Sequence, residues 1–173
     1  MKEEEIIHEN KHFKIFRNKS HYLKYHGNKK GIEGSSVLIF NKEKTKIFLV
    51  NIYRDAVKRN SWEAPRGGAE NNESYLECAK REGEEETGLV LSDLKLLGTI
   101  APDTGTMSSC GEVYEAIADY KEIPKEIDTD DLINSSRWFD IDEVLKMIKN
   151  DEIVCSITIS SIMKYFILNK KIL

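Results

Sequence analysis

The clearest hydrophobic signal in the chain is a pair of short apolar runs. Ser36-Val37-Leu38-Ile39-Phe40 and Ile47-Phe48-Leu49-Val50 flank a polar stretch at 41–46. Continuous β-branched and aromatic runs around a polar turn predict two buried strands in a hairpin, the second continuing through Ile52 and Tyr53. Upstream, Phe13 and Ile15, then Tyr22, Leu23 and Tyr25, alternate with polar residues. That pattern over 12–26 predicts two further strands joined by an Asn-Lys-Ser turn. Residues 28–34 read as a Gly- and Lys-containing loop, and 55–61 as a polar loop.

Downstream, the period changes. Ser74 with Glu77 forms a capping-box pattern, which predicts a helix starting near 74 with Leu76, Ala79 and Gly83 on a narrow apolar stripe. Gly88 sits where a left-handed cap would end it. Strands follow at 94–100, 112–120 and 136–139, separated by a loop at 101–110 and an acidic loop at 121–131. Asp140 with Glu143 predicts the cap of a helix whose apolar face is Ile141, Val144, Leu145 and Ile148. Residues 157–168 read as a last amphipathic helix. Strands outnumber helices, and the helices come late. This predicts an α/β sandwich on a mixed sheet.

Composition narrows the class. The 173 residues suffice for one domain with a real core, and 40% hydrophobic with 32% charged residues is ordinary for a globular protein. A net charge of −4 offers no basic field for nucleic acid. No apolar run approaches the roughly 20 residues of a membrane helix, and the acidic N-terminus does not read as a signal peptide. Cys78, Cys110 and Cys155 are far apart and lack C-x-x-C spacing, which points to a reducing, cytoplasmic setting. Cys78 reads as a packing residue. The four histidines, all before residue 30, read as surface residues.

The candidate chemistry lies in GGAENNESYLECAKREGEEETGL, from Gly67 to Leu89. Glu82, Glu85 and Glu86 fall at i, i+3 and i+4, so their carboxylates share one helix face, where they repel one another unless a cation intervenes. An oxygen-only donor set favours Mg²⁺ or Mn²⁺ over zinc. The bland alternative is a solvated acidic face. The glycine loop and the wider spacing of Gly67, Glu73, Arg81 and Gly88 argue against it.

The spacing G-x5-E-x7-R-E-x-x-E-E-x-G-aliphatic resembles the Nudix box of the Nudix hydrolases. It runs from Gly67 through Leu89 without insertion and departs at Gly83, where an aliphatic residue is usual. The resemblance implies a Nudix-type α/β/α sandwich and hydrolysis of a nucleoside diphosphate linked to another group. By position, Glu82, Glu85 and Glu86 would hold Mg²⁺ or Mn²⁺, with the backbone carbonyl of Arg66 as a further ligand. Arg81 would orient the glutamates, and Glu73 would brace the loop between Gly67 and the helix that ends at Gly88. Gly83 reads as a local weakness or a close backbone contact.

The flanks resemble ADP-ribose pyrophosphatases. Val50 to Ala56 is similar to their QYR-x-A strand, Trp62 to Gly67 to their E-L-P-x-G segment, and Arg137 to Val144 to the stretch before their first C-terminal helix. This implies ADP-ribose or a nucleotide sugar as substrate, cleaved to a nucleoside monophosphate and a sugar phosphate. Arg54 would then meet a phosphate or ribose and Glu63 a ribose hydroxyl. Trp62 would stack on adenine or serve the core or a dimer interface. The resemblance puts the general base in the late acidic loop, among Glu122, Glu126, Asp128, Asp130 and Asp131, with Glu112 or Glu115 as alternatives. Residues 1–34 would form an N-terminal extension supporting a homodimer, and 35–173 the Nudix domain. Dinucleoside polyphosphates, coenzyme A or nucleoside triphosphates remain alternative substrates. So does a regulator that binds ADP-ribose or NAD metabolites without cleaving them.

Overall fold

The computed structural model describes residues 5–17, 21–31, 33–120 and 133–170. Ten strands and three helices follow one another in these segments. They are β1 (Glu5–Glu9), β2 (Phe13–Arg17), β3 (His21–Tyr25), β4 (Gly34–Phe40), β5 (Lys46–Arg54), β6 (Arg59–Glu63), β7 (Arg66–Gly68), α1 (Tyr75–Thr87), β8 (Ser92–Ile100), β9 (Gly111–Ile117), β10 (Ile133–Asp140), α2 (Ile141–Lys149) and α3 (Ser156–Leu168).

The main sheet runs β10-β5-β4-β9-β8, with β6 paired to β5 and β7 to β4. It is mixed, because β4 and β9 are parallel while the other pairs are antiparallel. The central apolar run explains why the sheet is covered on both faces. Along β4, Leu38 and Phe40 join a core with Ile47, Leu49, Phe139, Val144, Ile162 and Tyr165. The alternate residues Val37 and Ile39 join a second core with Ala79, Leu89, Leu91 and Tyr114. Side chains alternate across a strand, so α1 covers one face and α2 with α3 the other. The expected α/β/α sandwich is the observed fold.

Local details differ from the pattern reading. The polar 55–61 stretch is only half loop, since β6 begins at Arg59 and pairs Ile52 with Ser61. The register turns Ser61 inward, which its polarity alone does not signal. Leu76 and Leu145 are exposed, not core-facing. Asp140 occupies the N-cap of α2 but makes no side-chain cap bond. Its carboxylate pairs instead with Lys46 Nζ at 2.6 Å, across the β10–β5 ladder.

The first three strands form their own sheet in the order β1-β2-β3. β1 has only exposed residues, so no hydrophobic pattern marked it. This sheet docks on the 101–110 loop: Leu23 N–H donates to Thr106 O at 2.7 Å, and Ser108 N–H donates to Leu23 O at 2.9 Å. Asp103 shapes that loop by accepting the Gly105 N–H at 2.8 Å. Among the described residues, no helix is long and apolar enough to cross a membrane.

Candidate active site

The site is built where β7 runs into α1. Both halves of the capping box form: Glu77 N–H donates to Ser74 Oγ at 3.2 Å, and Ser74 N–H to Glu77 Oε2 at 2.8 Å. Gly88 closes the helix at φ 67°, its N–H donating to Glu84 O at 2.8 Å. These caps set the helix phase and so the face on which the glutamates stand.

Arg81 is the hub. Its Nε and Nη2 donate to the two oxygens of Glu73, at 2.7 and 3.0 Å. Nη2 also reaches Gly68 O at 2.7 Å, while Nη1 reaches Glu82 Oε1 at 2.9 Å and Glu85 Oε2 at 2.8 Å. Charge-assisted bonds of this kind are the strong ones. The same bond to Arg81 lowers the Glu73 carboxyl and raises the guanidinium. Glu73 also accepts the Glu70 N–H at 2.8 Å, so the loop and the helix are held by one arginine.

The other two glutamates differ in setting. The Glu85 side chain is 60% exposed. Glu86 is 6% exposed and accepts the Arg66 N–H at 3.2 Å, which brings the Arg66 peptide beside the glutamate helix. Gly67 has no room for a side chain beneath the Glu82 carboxylate. Gly83 is a close backbone contact: a Cβ there would lie 2.5 Å from Leu91 Cδ1 and 2.8 Å from Val37 Cγ1. The helix therefore packs on β4 at a distance only glycine allows. Buried Cys78 donates to Gly67 O at 3.6 Å, and burial pushes its thiol up to about 11, so it stays protonated and serves packing.

Beside this cluster lies a cleft of about 680 Å³, within the size range of small-molecule sites. Arg54, Glu63, Arg66, Gly67 and Glu112 all line it. Arg54 grips Glu63 with two bonds, of 3.1 and 2.7 Å, and Arg66 adds two more to Oε2, from Nε at 3.3 Å and Nη2 at 2.9 Å. Burial would raise the Glu63 carboxyl, but the bond from Arg54 and the charges of both arginines outweigh it and hold it at about 2. Glu112 accepts a short bond from Tyr114 OH, and burial, with that bond second, raises the phenol.

Trp62 lies outside the cleft wall and packs edge-on against Phe139, ring centroids 4.8 Å apart. Glu115 is buried with Lys44 Nζ 2.8 Å away, also off the cleft wall. Glu122, Glu126, Asp128, Asp130 and Asp131 lie outside the described residues. The cleft also holds groups that pattern reading passed over. Tyr25 from β3 lines it, as do Ser61, Ser109, Glu33 and the start of α3. Ser61 Oγ, Ser109 Oγ and Glu33 Oε2 are buried without a partner among the described residues. No local motif marks them, because each reaches the cleft through sheet register or loop path.

The donors here are all oxygen, which suits Mg²⁺ or Mn²⁺ chemically. Among the described residues, no three acidic, imidazole or thiol groups are gathered as a ready metal cage. Mg²⁺ takes only one or two carboxylates and completes its shell with water and substrate phosphate. The residues fit that mode of binding.

A mixed sheet between helices, with a glycine loop feeding an arginine–glutamate helix, defines a Nudix-type domain. The NUDIX domain model matches residues 33–155, and the chain belongs to that family. A similar curated protein is the CMP-5'-(N-acetyl-N-hydroxy-3-aminopropyl)phosphonate hydrolase of Streptomyces rubellomurinus. It is 27% identical over 124 residues, which are 71% of this chain and 59% of that one. The chain thus spans about three-fifths of the length of that relative. The crystal structure of an ADP compounds hydrolase superposes with a TM-score of 0.73 at 17% identity, covering 98% of this chain and 93% of that one. At that identity, the likeness establishes the fold.

Proposed function

We propose that this chain is a divalent-metal-dependent pyrophosphohydrolase acting on ADP-ribose or a nucleotide sugar. The observation that carries the reading is Arg81 joining Glu73, Glu82, Glu85 and Gly68 O beside a cleft lined with arginines. In the reaction, water attacks one phosphorus of the diphosphate and the bridging P–O bond breaks. A nucleoside monophosphate and a sugar phosphate leave.

Glu82, Glu85 and Glu86, with the Arg66 carbonyl, would hold Mg²⁺ or Mn²⁺. When bound, the ion supplies positive charge that neutralises the diphosphate and acidifies the attacking water. Arg81 keeps the Glu82 and Glu85 carboxylates from swinging away, and Glu73 keeps Arg81 in place. Glu112 stands on the cleft wall with a phenol fixing one of its oxygens, which suits it to take a proton from water. The Arg54–Glu63–Arg66 group binds and orients the substrate's polar portion. Trp62 supports the cleft from the core side. The β1–β3 sheet, with exposed Ile6 and Ile7 on its outer strand, suits a contact with a second copy of the chain.

The curated relative's name favours a second reading, in which the nucleotide is a cytidine compound. A panel of ADP-ribose, CDP- and UDP-sugars, diadenosine polyphosphates, coenzyme A and nucleoside triphosphates, each with Mg²⁺ or Mn²⁺, tests both. Preference for ADP-ribose supports the first reading, and preference for cytidine compounds the second. Binding of ADP-ribose without turnover of any member would make the protein a binding module and end the enzymatic reading.

A further inference from the structure

The start of α3 faces the cleft and is chemically incomplete. Val154, Cys155, Ser156 and Ile157 line the cavity. The N-cap, Cys155, provides no side-chain hydrogen bond, and the first turn carries no acidic residue. The first backbone N–H groups of a helix have no carbonyl partner inside it, and they sit at the positive end of its dipole. Such an end binds anions.

A second observation points to the same place. Ser61 is 2% exposed, lines the same cavity, and its Oγ has no partner among the described residues. A buried hydroxyl left unbonded is costly. Ser61 sits midway along the segment that is tied to the α3 region at both ends. Arg59 Nη2 donates to Asp151 O at 3.0 Å before the helix, and Ala64 N–H donates to Thr158 Oγ1 at 3.0 Å in its first turn. Those ties run the strand that carries Ser61 alongside the start of α3, and both line the one cavity. Arg54, on the neighbouring strand, lines the cavity as well. The Glu63 carboxylate beside it is matched by two guanidinium groups, so that trio carries one net positive charge.

We infer that the N-terminus of α3, the Ser61 hydroxyl and Arg54 form an anion subsite that holds a phosphate group of the substrate apart from the Glu82–Glu86 carboxylates. The inference rests on the reading that the cleft takes a diphosphate compound. The α3 N–H groups and Ser61 donate to the phosphate oxygens, and Arg54 supplies charge. Ser61 then acts in substrate positioning, not in bond breaking.

The test titrates inorganic phosphate into the full chain in a metal-free chloride buffer, followed by ³¹P NMR and by thermal melting. The wild type is expected to bind phosphate. Ser61→Ala should weaken binding by about tenfold, the size of a lost hydrogen bond to a charged group. Cys155→Asp places a capping carboxylate on the same N–H groups, so it should raise the melting temperature while abolishing phosphate binding. No phosphate binding by the wild type, or equal affinity in the wild type and Ser61→Ala, would overturn the subsite whether or not Cys155→Asp folds. Turnover of the substrate panel alongside that result would leave the proposed reaction standing. Phosphate binding that depends on Ser61, in a chain that turns over none of the panel, would keep the subsite and remove the reaction.

Discussion

The Glu82 carboxylate lies directly over Gly67: a Cβ on that glycine would sit 2.2 to 2.3 Å from all three carboxyl atoms. Loop and helix are thus interlocked at Glu82, one of the carboxylates proposed to hold the metal. Gly67→Ala is expected to push Glu82 off Arg81 and cut turnover by more than about a hundredfold, beyond the usual loss from disturbing a ligand's support. The fold should survive, because the displaced atoms end a flexible side chain. Steady-state kinetics with a parallel thermal melt checks this, and wild-type turnover in a folded variant would show that Glu82 has another acceptable position.

Gly83 lies on the same helix but faces the core. Gly83→Ala adds a methyl group that meets Leu91 and Val37, both buried. Overpacking costs about 1–3 kcal/mol, against a helix-propensity gain of about 1 kcal/mol over glycine. A net destabilisation of up to about 2 kcal/mol is expected in urea unfolding. Combining it with Leu91→Ala should cost less than the sum of the two single changes. A Gly83→Ala chain more stable than wild type would mean the helix can move away from β4.

Glu85→Gln and Glu86→Gln keep size and hydrogen-bonding capacity while removing charge. Each should cut turnover more than the roughly 10–100-fold typical of residues that merely support a metal ligand, with little change in melting temperature. A chelator should abolish wild-type turnover and added Mg²⁺ or Mn²⁺ should restore it. Chelator-resistant turnover, or full activity in either glutamine variant, would remove these carboxylates from the metal site.

Glu63 makes part of the stability depend on pH. Its carboxyl titrates near 2 in the folded chain against an ordinary 4.5. A depressed carboxyl stabilises the fold above its unfolded value, and that stabilisation is lost as pH falls from 4.5 toward 2. Linkage puts the amount at roughly 3 kcal/mol. Unfolding free energies measured between pH 7 and pH 2 should fall less steeply in Glu63→Gln than in wild type below pH 4.5. Identical slopes would mean that Glu63 is not held as an ion pair.

Much of this molecule was legible before folding because its signals are local. Ser74 and Glu77 close a capping box within four residues, Gly88 ends the helix one step past it, and three glutamates at i, i+3 and i+4 must share a face. Val37 to Phe40 had to be buried on both sides, since all four are apolar. Those facts fixed the sandwich and the glutamate helix. The cleft was not legible, because its parts meet only through long-range register. Ser61 turns inward only because it pairs with Ile52, and Arg54 finds Glu63 only because β5 and β6 lie side by side. The start of α3 reaches the same wall through its bond from Ala64, 94 residues away in the chain. Backbone pairing across such distances depends on the whole sheet closing, and short-range periodicity carries no record of it. The chain's local chemistry determined the glutamate helix, and its tertiary closure decided what that helix faces.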